Sequence, residues 1–100
     1  MAYEADLEKW CREQTVKSGG YLLKWVSPGN RGVPDRILLM PNYVAFIEFK
    51  APKGNLSALQ DVWRNRIRNH MWLRHHVVRT KHEFETILLE AKHATYEANV

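Results

Sequence analysis

The sequence predicts an α/β fold: a small mixed β-sheet flanked by α-helices, in the order helix, three strands, helix, strand, helix. Two observations carry this prediction. Apolar residues recur at helical spacing near both ends, at Tyr3, Leu7, Trp10 and Cys11 and again at Phe84, Ile87, Leu88 and Ala91. Between them lie short runs rich in Val, Ile, Leu and Phe, bounded by turn residues, as strands are. A length of 100 residues supports one domain over residues 1–100 with a modest core, which makes dimerisation a natural expectation.

The first helix runs from Tyr3 to Lys17 and is stopped by Gly19-Gly20. "YLLKWV", residues 21–26, reads as a strand, and "SPGNRG" after it as a loop. Strands over 35–40 and 43–50 follow, joined by Pro41-Asn42 in a tight hairpin. "APKGN" forms a second loop, after which Ser57 and Gln60 have capping-box spacing and Leu59, Val62, Trp63 and Ile67 make one apolar helical face. "RHHVVR", residues 74–79, is a short strand. Thr80 with Glu83 caps the last helix, and residues 95–100 are expected to fray. Trp10, Trp25 and Trp63 are expected in the core, with Trp72 exposed or at a dimer contact.

Composition narrows the function classes. With 45% hydrophobic and 26% charged residues the chain reads as globular rather than disordered. No apolar run approaches the ~20 residues of a membrane span and no signal-peptide pattern opens the chain, so a cytoplasmic location is expected. Cys11, the only cysteine, excludes an internal disulfide and a Cys-rich zinc site, and is expected in the core. A net charge of +4 favours an anionic partner, nucleic acid first. "APKGN" lacks the Gly-x-x-x-x-Gly-Lys-Ser/Thr pattern, which argues against a nucleotide cofactor.

The chemistry concentrates in residues 32–55. Alternation along the third strand puts Val44, Phe46, Glu48 and Lys50 on one face and Tyr43, Ala45, Ile47 and Phe49 on the other, as expected for an interior strand covered on both sides. A buried carboxylate must be paired, hydrogen-bonded or bound to a metal. A Glu48–Lys50 pair at the strand end is one solution. Asp35 supplies another, because it and Glu48 lie at matching distances from Pro41-Asn42 and become neighbours across the hairpin. Two adjacent carboxylates beside a lysine suit a hard divalent cation and water attack on a phosphodiester. Lys24, Arg31, Arg36 and Lys53 flank this point and are candidate DNA-phosphate contacts, with a structural salt bridge as the competing role for Arg36. Arg64 and Arg68 share a helical face that a solvated surface explains equally well. His75 and His76 point to opposite faces, against a histidine metal site.

Pro34-Asp35 followed by Glu48-Phe49-Lys50 resembles the PD-(D/E)xK nuclease signature. More narrowly, residues 24–60, with Gly-Val-Pro-Asp-Arg, Glu-x-Lys and Leu-Ser-x-x-Gln, resemble the VRR-Nuc family. The resemblance implies a restriction-endonuclease-like fold in which Asp35, Glu48 and the Phe49 carbonyl hold Mg2+ or Mn2+ and Lys50 acts on the attacking water. It places Gln60 near the site, a role that one side-chain conformation would not easily combine with the capping box. A tyrosine common one turn later is replaced by Arg64. Related enzymes also use an acidic residue of the first helix, here Glu4 or Glu8, with Glu4 favoured by spacing. Stand-alone members resemble Holliday junction resolvases, so the expectation is a homodimer cutting four-way junctions or other branched DNA. The alternatives are flap cleavage and a non-catalytic nucleic-acid-binding module. The short chain also fits a virus or mobile element.

Overall fold

A computed structural model of the chain describes residues 2–98. The elements are α1 (Ala2–Lys17), β1 (Tyr21–Lys24), β2 (Arg36–Met40), β3 (Tyr43–Phe49), α2 (Ala58–Asn65) with a π-helical continuation (Arg66–His70), β4 (Arg74–Val78) and α3 (Lys81–Ala98). This is the predicted order. The strands form one sheet, β1-β2-β3-β4, antiparallel except for the parallel β3–β4 pair. A parallel neighbour needs a crossover, and α2 with its π-helical turn supplies it.

Local chemistry explains the boundaries. Gly19, at φ +86°, ends α1 in a Schellman motif: its N–H reaches the Val16 carbonyl and that of Gly20 the Thr15 carbonyl, both at 3.0 Å. Pro41 and Asn42 form the two-residue hairpin turn, with Asn42 at φ 58°, the positive value that the third position of a type II turn requires. β1 ends at Lys24 rather than at residue 26. The Trp25 N–H still bonds the Asp35 carbonyl at 3.0 Å, but Ser27-Pro28-Gly29 then carries the chain off the sheet. At the other end, 95–98 continue α3 instead of fraying, and residues 99–100 lie outside the described residues.

The core lies between one face of the sheet and the helices α1 and α3, where Cys11, Leu38, Ala45, Ile47, Val78 and Phe84 are wholly buried. Each of the larger apolar side chains contributes about 1.5–3 kcal/mol by that burial. The expectation that β3 is covered on both faces is corrected: Val44 is 44% exposed, and cover on the second face is confined to the Glu48 end. The reason is that α2 buries none of its residues; Leu59 and Val62 face outward, and only Ile67 in the π-helical turn is buried. Trp10 packs on the core edge, Trp25 and Trp63 are half-buried and Trp72 is 86% exposed, so no tryptophan belongs to the buried core. Among the described residues no helix is long and apolar enough to cross a membrane.

Candidate active site

The β2–β3 register pairs Arg36 with Ile47, and one step further out Asp35 and Glu48 meet across the hairpin. Asp35 is oriented by the Phe49 N–H, which donates to Oδ2 at 2.8 Å. Glu48 is 2% exposed, and its carboxyl is pushed up to about 9. Burial is the main cause, followed by the hydrogen bond and negative charge of Asp35; Lys50 opposes the shift and Glu4 adds to it. Lys50 leaves the sheet directly after β3, with its N–H on the Val78 carbonyl at 3.0 Å, and by strand alternation projects to the Glu48 side.

Gln60 overturns one expectation. Its Oε1 accepts the Ser57 N–H at 2.9 Å, while Ser57 Oγ accepts the Gln60 N–H at 3.2 Å, completing the capping box. In the same conformation its Nε2 donates to Glu48 Oε2 at 3.2 Å. The two ends of one amide serve the two roles, so the roles do not compete.

The two acidic residues of α1 separate cleanly. Glu4 reaches the site, accepting the Ala51 N–H at 3.0 Å just beyond Lys50. Glu8 instead pairs with Arg36 at 2.8 Å, which ties Arg36 to α1 in the salt bridge anticipated as its competing role. Of the other candidate phosphate contacts, Lys24, Arg31 and Lys53 are exposed. Lys24 lines a cleft of about 510 Å³ that also includes Asp35, Arg36, Lys9 and Arg12. Sequence reasoning missed Lys9 and Arg12; their i,i+3 spacing on α1 was the available signal. The Arg31 carbonyl accepts the Trp63 indole N–H at 3.0 Å, tying the Gly-Val-Pro-Asp loop to α2.

The loop and helix touch even more closely at Gly32. It has φ +88°, and a Cβ there would meet the Leu59 backbone at 2.6 Å. Both the conformation and the space demand glycine.

Among the described residues no group of three or more His, Cys, Asp or Glu side chains is placed to hold a metal ion. The Asp35–Glu48 pair nevertheless fits a magnesium-like cation, which binds through one or two carboxylates and keeps several waters. Glu48, raised first by burial and then by its hydrogen bond to Asp35 and the charge of Asp35, and Asp35 beside it present the adjacent carboxyl oxygens that such a cation takes as ligands.

Comparison with known proteins supports this architecture. No family model matches the sequence. Over 50 residues the chain is 48% identical to "Putative nuclease p44" of Acyrthosiphon pisum secondary endosymbiont phage 1, a match covering 49% of this chain and 54% of that protein. The chain thus spans about half the length of the relative it matches. A solved structure described as a "VRR_NUC domain" superposes with a TM-score of 0.78 at 22% identity, covering 86% of this chain and 94% of the other. The chain therefore has the VRR_NUC fold, the restriction-endonuclease-like arrangement that its Gly-Val-Pro-Asp-Arg and Glu-Phe-Lys motifs resemble.

Proposed function

We propose that this chain is a VRR-Nuc nuclease that hydrolyses phosphodiester bonds in DNA with the help of Mg2+ or Mn2+. The observation that carries the reading is the convergence of Asp35, Glu48 and Gln60, tied by hydrogen bonds, with Lys50 electrostatically coupled to Glu48 at one end of the sheet. Asp35 and Glu48 would hold the cation, with the Phe49 carbonyl as a further ligand. When bound, the cation draws charge from the phosphoryl oxygens and acidifies water.

The chain's own groups have distinct tasks. The Phe49 N–H and the Gln60 amide keep the carboxylates aimed, so little reorganisation is needed at the moment of reaction. Lys50 orients the attacking water and takes part in removing its proton. Water adds its oxygen to phosphorus, the ester P–O bond on the far side breaks, and the departing oxygen gains a proton. Glu4 adds negative charge to the site from α1 while held by the Ala51 N–H. Lys24, Arg31 and Lys53 hold flanking phosphates, joined by Lys9 and Arg12.

Branched DNA, four-way junctions in particular, is the proposed substrate, and a homodimer the proposed form. Two sites related by a two-fold axis can cut opposed strands, which a single small protomer cannot. The apolar residues left exposed on the second sheet face and beyond α2, including Leu23, Val44 and Trp72, support self-association. The test is cleavage of a labelled four-way junction and a matched linear duplex, with chelator and Asp35→Ala as controls. Paired cuts that need the cation and the carboxylate are expected; DNA bound but uncut with either cation would favour a binding module.

A further inference from the structure

β4 is an edge strand, and along its free side, between the α2 segment and α3, runs a second cleft of about 500 Å³. Arg64 and Arg68 enter it from one face of the α2 segment and Arg79 from the loop between β4 and α3, and Glu83 is its only acidic lining residue. That carboxylate is already engaged, accepting the Arg79 N–H at 2.8 Å and the Thr80 hydroxyl at 3.3 Å. Arg79 is anchored through Nε and Nη2 on the Gly54 carbonyl, at 3.1 and 2.9 Å, which leaves further N–H groups to donate. The Arg64–Asp61 pair is loose at 3.8 Å and exposed, and Arg68 has no ion-pair partner among the described residues.

His75 lines the same cleft, is 5% exposed, and its Nδ1 has no hydrogen-bond partner. Its acidity agrees with the field: burial, then the charges of Arg64, His76 and Arg68, lower it to about 4. A solvated helix face explains one row of arginines. It does not explain why Arg79, anchored on the Gly54 carbonyl, joins that row across one concavity beside an unsatisfied buried imidazole nitrogen.

We propose that this cleft is a second phosphate site, in which Arg64, Arg68 and Arg79 hold a phosphate group of the nucleic acid next to the proposed cleavage site. The ligand's identity rests on the nuclease reading above. Position supports it: Val77, which lines the cleft, lies opposite Glu48 in the β3–β4 register, and Arg64 is one helical turn beyond Gln60. Planar guanidinium forks suit the paired oxygens of a phosphate. Internal phosphodiesters and terminal phosphates share that chemistry.

The test is anisotropy binding of labelled junction and duplex DNA by the full chain in chelator over a range of salt. Arg68→Ala is compared with Lys92→Ala, which removes one charge from the exposed side of α3. Arg68→Ala is expected to weaken binding ~10-fold more than the control and to make the salt slope shallower by about 1. Equal binding by the two variants would overturn the proposal. Oligonucleotides with and without a terminal phosphate separate the sources: dependence on Arg68 only in the phosphorylated one assigns the monoester, and equal dependence the diester. A second measurement, NMR titration of the wild-type chain with inorganic phosphate, is expected to shift His75, Arg64 and Arg68 signals; no shift there would contradict the site. If the wild type neither bound nor cut DNA, the nuclease reading would fall while the phosphate titration still decided the cleft. A change of sedimentation in Arg68→Ala would assign the cleft to contact between copies and overturn the proposal.

Discussion

Glu48 is the residue whose chemistry is most altered by its surroundings. Its folded carboxyl titrates near 9, far above the unfolded value of 4.5, so it favours the folded state below the lower value and loses that contribution as pH rises towards the upper one. In chelator, the Tm of the wild type should therefore fall across pH 5 to 9 by about 5 °C or more from this group. Glu48→Gln, which cannot ionise, should flatten that dependence and be more stable than the wild type at the alkaline end. Parallel melting curves for the two proteins would contradict the environment described for Glu48. His75 works in the opposite direction, since its lowered value of about 4 makes it oppose folding as pH drops below 6.5. Lys50 joins the sheet through its backbone N–H rather than its side chain, so the role proposed for that side chain can be tested apart from the fold. Lys50→Ala should cut cleavage by ~10²–10⁴-fold with unchanged melting, measured as single-turnover rates on the same DNA. A folded variant with undiminished rate would remove Lys50 from the mechanism.

Among the elements, the contact between the Gly-Val-Pro-Asp loop and α2 decides whether the site assembles. Gly32→Ala forces a left-handed backbone on a residue whose new Cβ would sit 2.6 Å from the Leu59 backbone. The expected cost is about 2 kcal/mol or more, roughly a 10 °C drop in Tm, with loss of cleavage because Gln60 moves with its helix. A variant that melts like the wild type would show that loop and helix do not touch as described. Much of this region was legible beforehand. A two-residue turn at Pro41-Asn42 sets the hairpin register, and strand alternation then places Glu48 and Lys50 together and Asp35 beside them. The spacing of Ser57 and Gln60 gave the start of α2.

Other features were hidden for physical reasons. An apolar stripe does not reveal what covers it, so the face made by Leu59, Val62, Trp63 and Ile67 gave no sign that Leu59 and Val62 stay exposed. Capping-box spacing says nothing of the far end of the glutamine amide, so it was not apparent that Gln60 reaches Glu48 and caps α2 in one conformation. The second cleft draws on positions 64, 68, 75 and 79, brought together by a π-helical turn and a parallel strand pairing that no local pattern announces.

Over the whole molecule, the helices α1 and α3 cover one side of the sheet and leave much of the other apolar and open. Trp72 is 86% exposed, stands in the left-handed region at φ 57°, and lines a shallow depression together with Val44 and Leu73. Such a residue is costly to keep in that conformation unless something uses it. A partner protomer on this face is the proposed use. Val44→Asp should shift sedimentation from dimer to monomer with little change in melting, since Val44 is 44% exposed and holds no site residue. Dimers that persist would place the interface elsewhere.

The measurement to make first is cleavage of labelled four-way junction and matched duplex by the wild type and Asp35→Ala, each with Mg2+, with Mn2+ and with chelator. Cation-dependent paired cuts in the junction, absent from Asp35→Ala and from chelator, are the predicted result. Equal cutting by Asp35→Ala, or no cutting of either DNA with either cation, would contradict the assignment of Asp35 and Glu48 as the centre of a nuclease site.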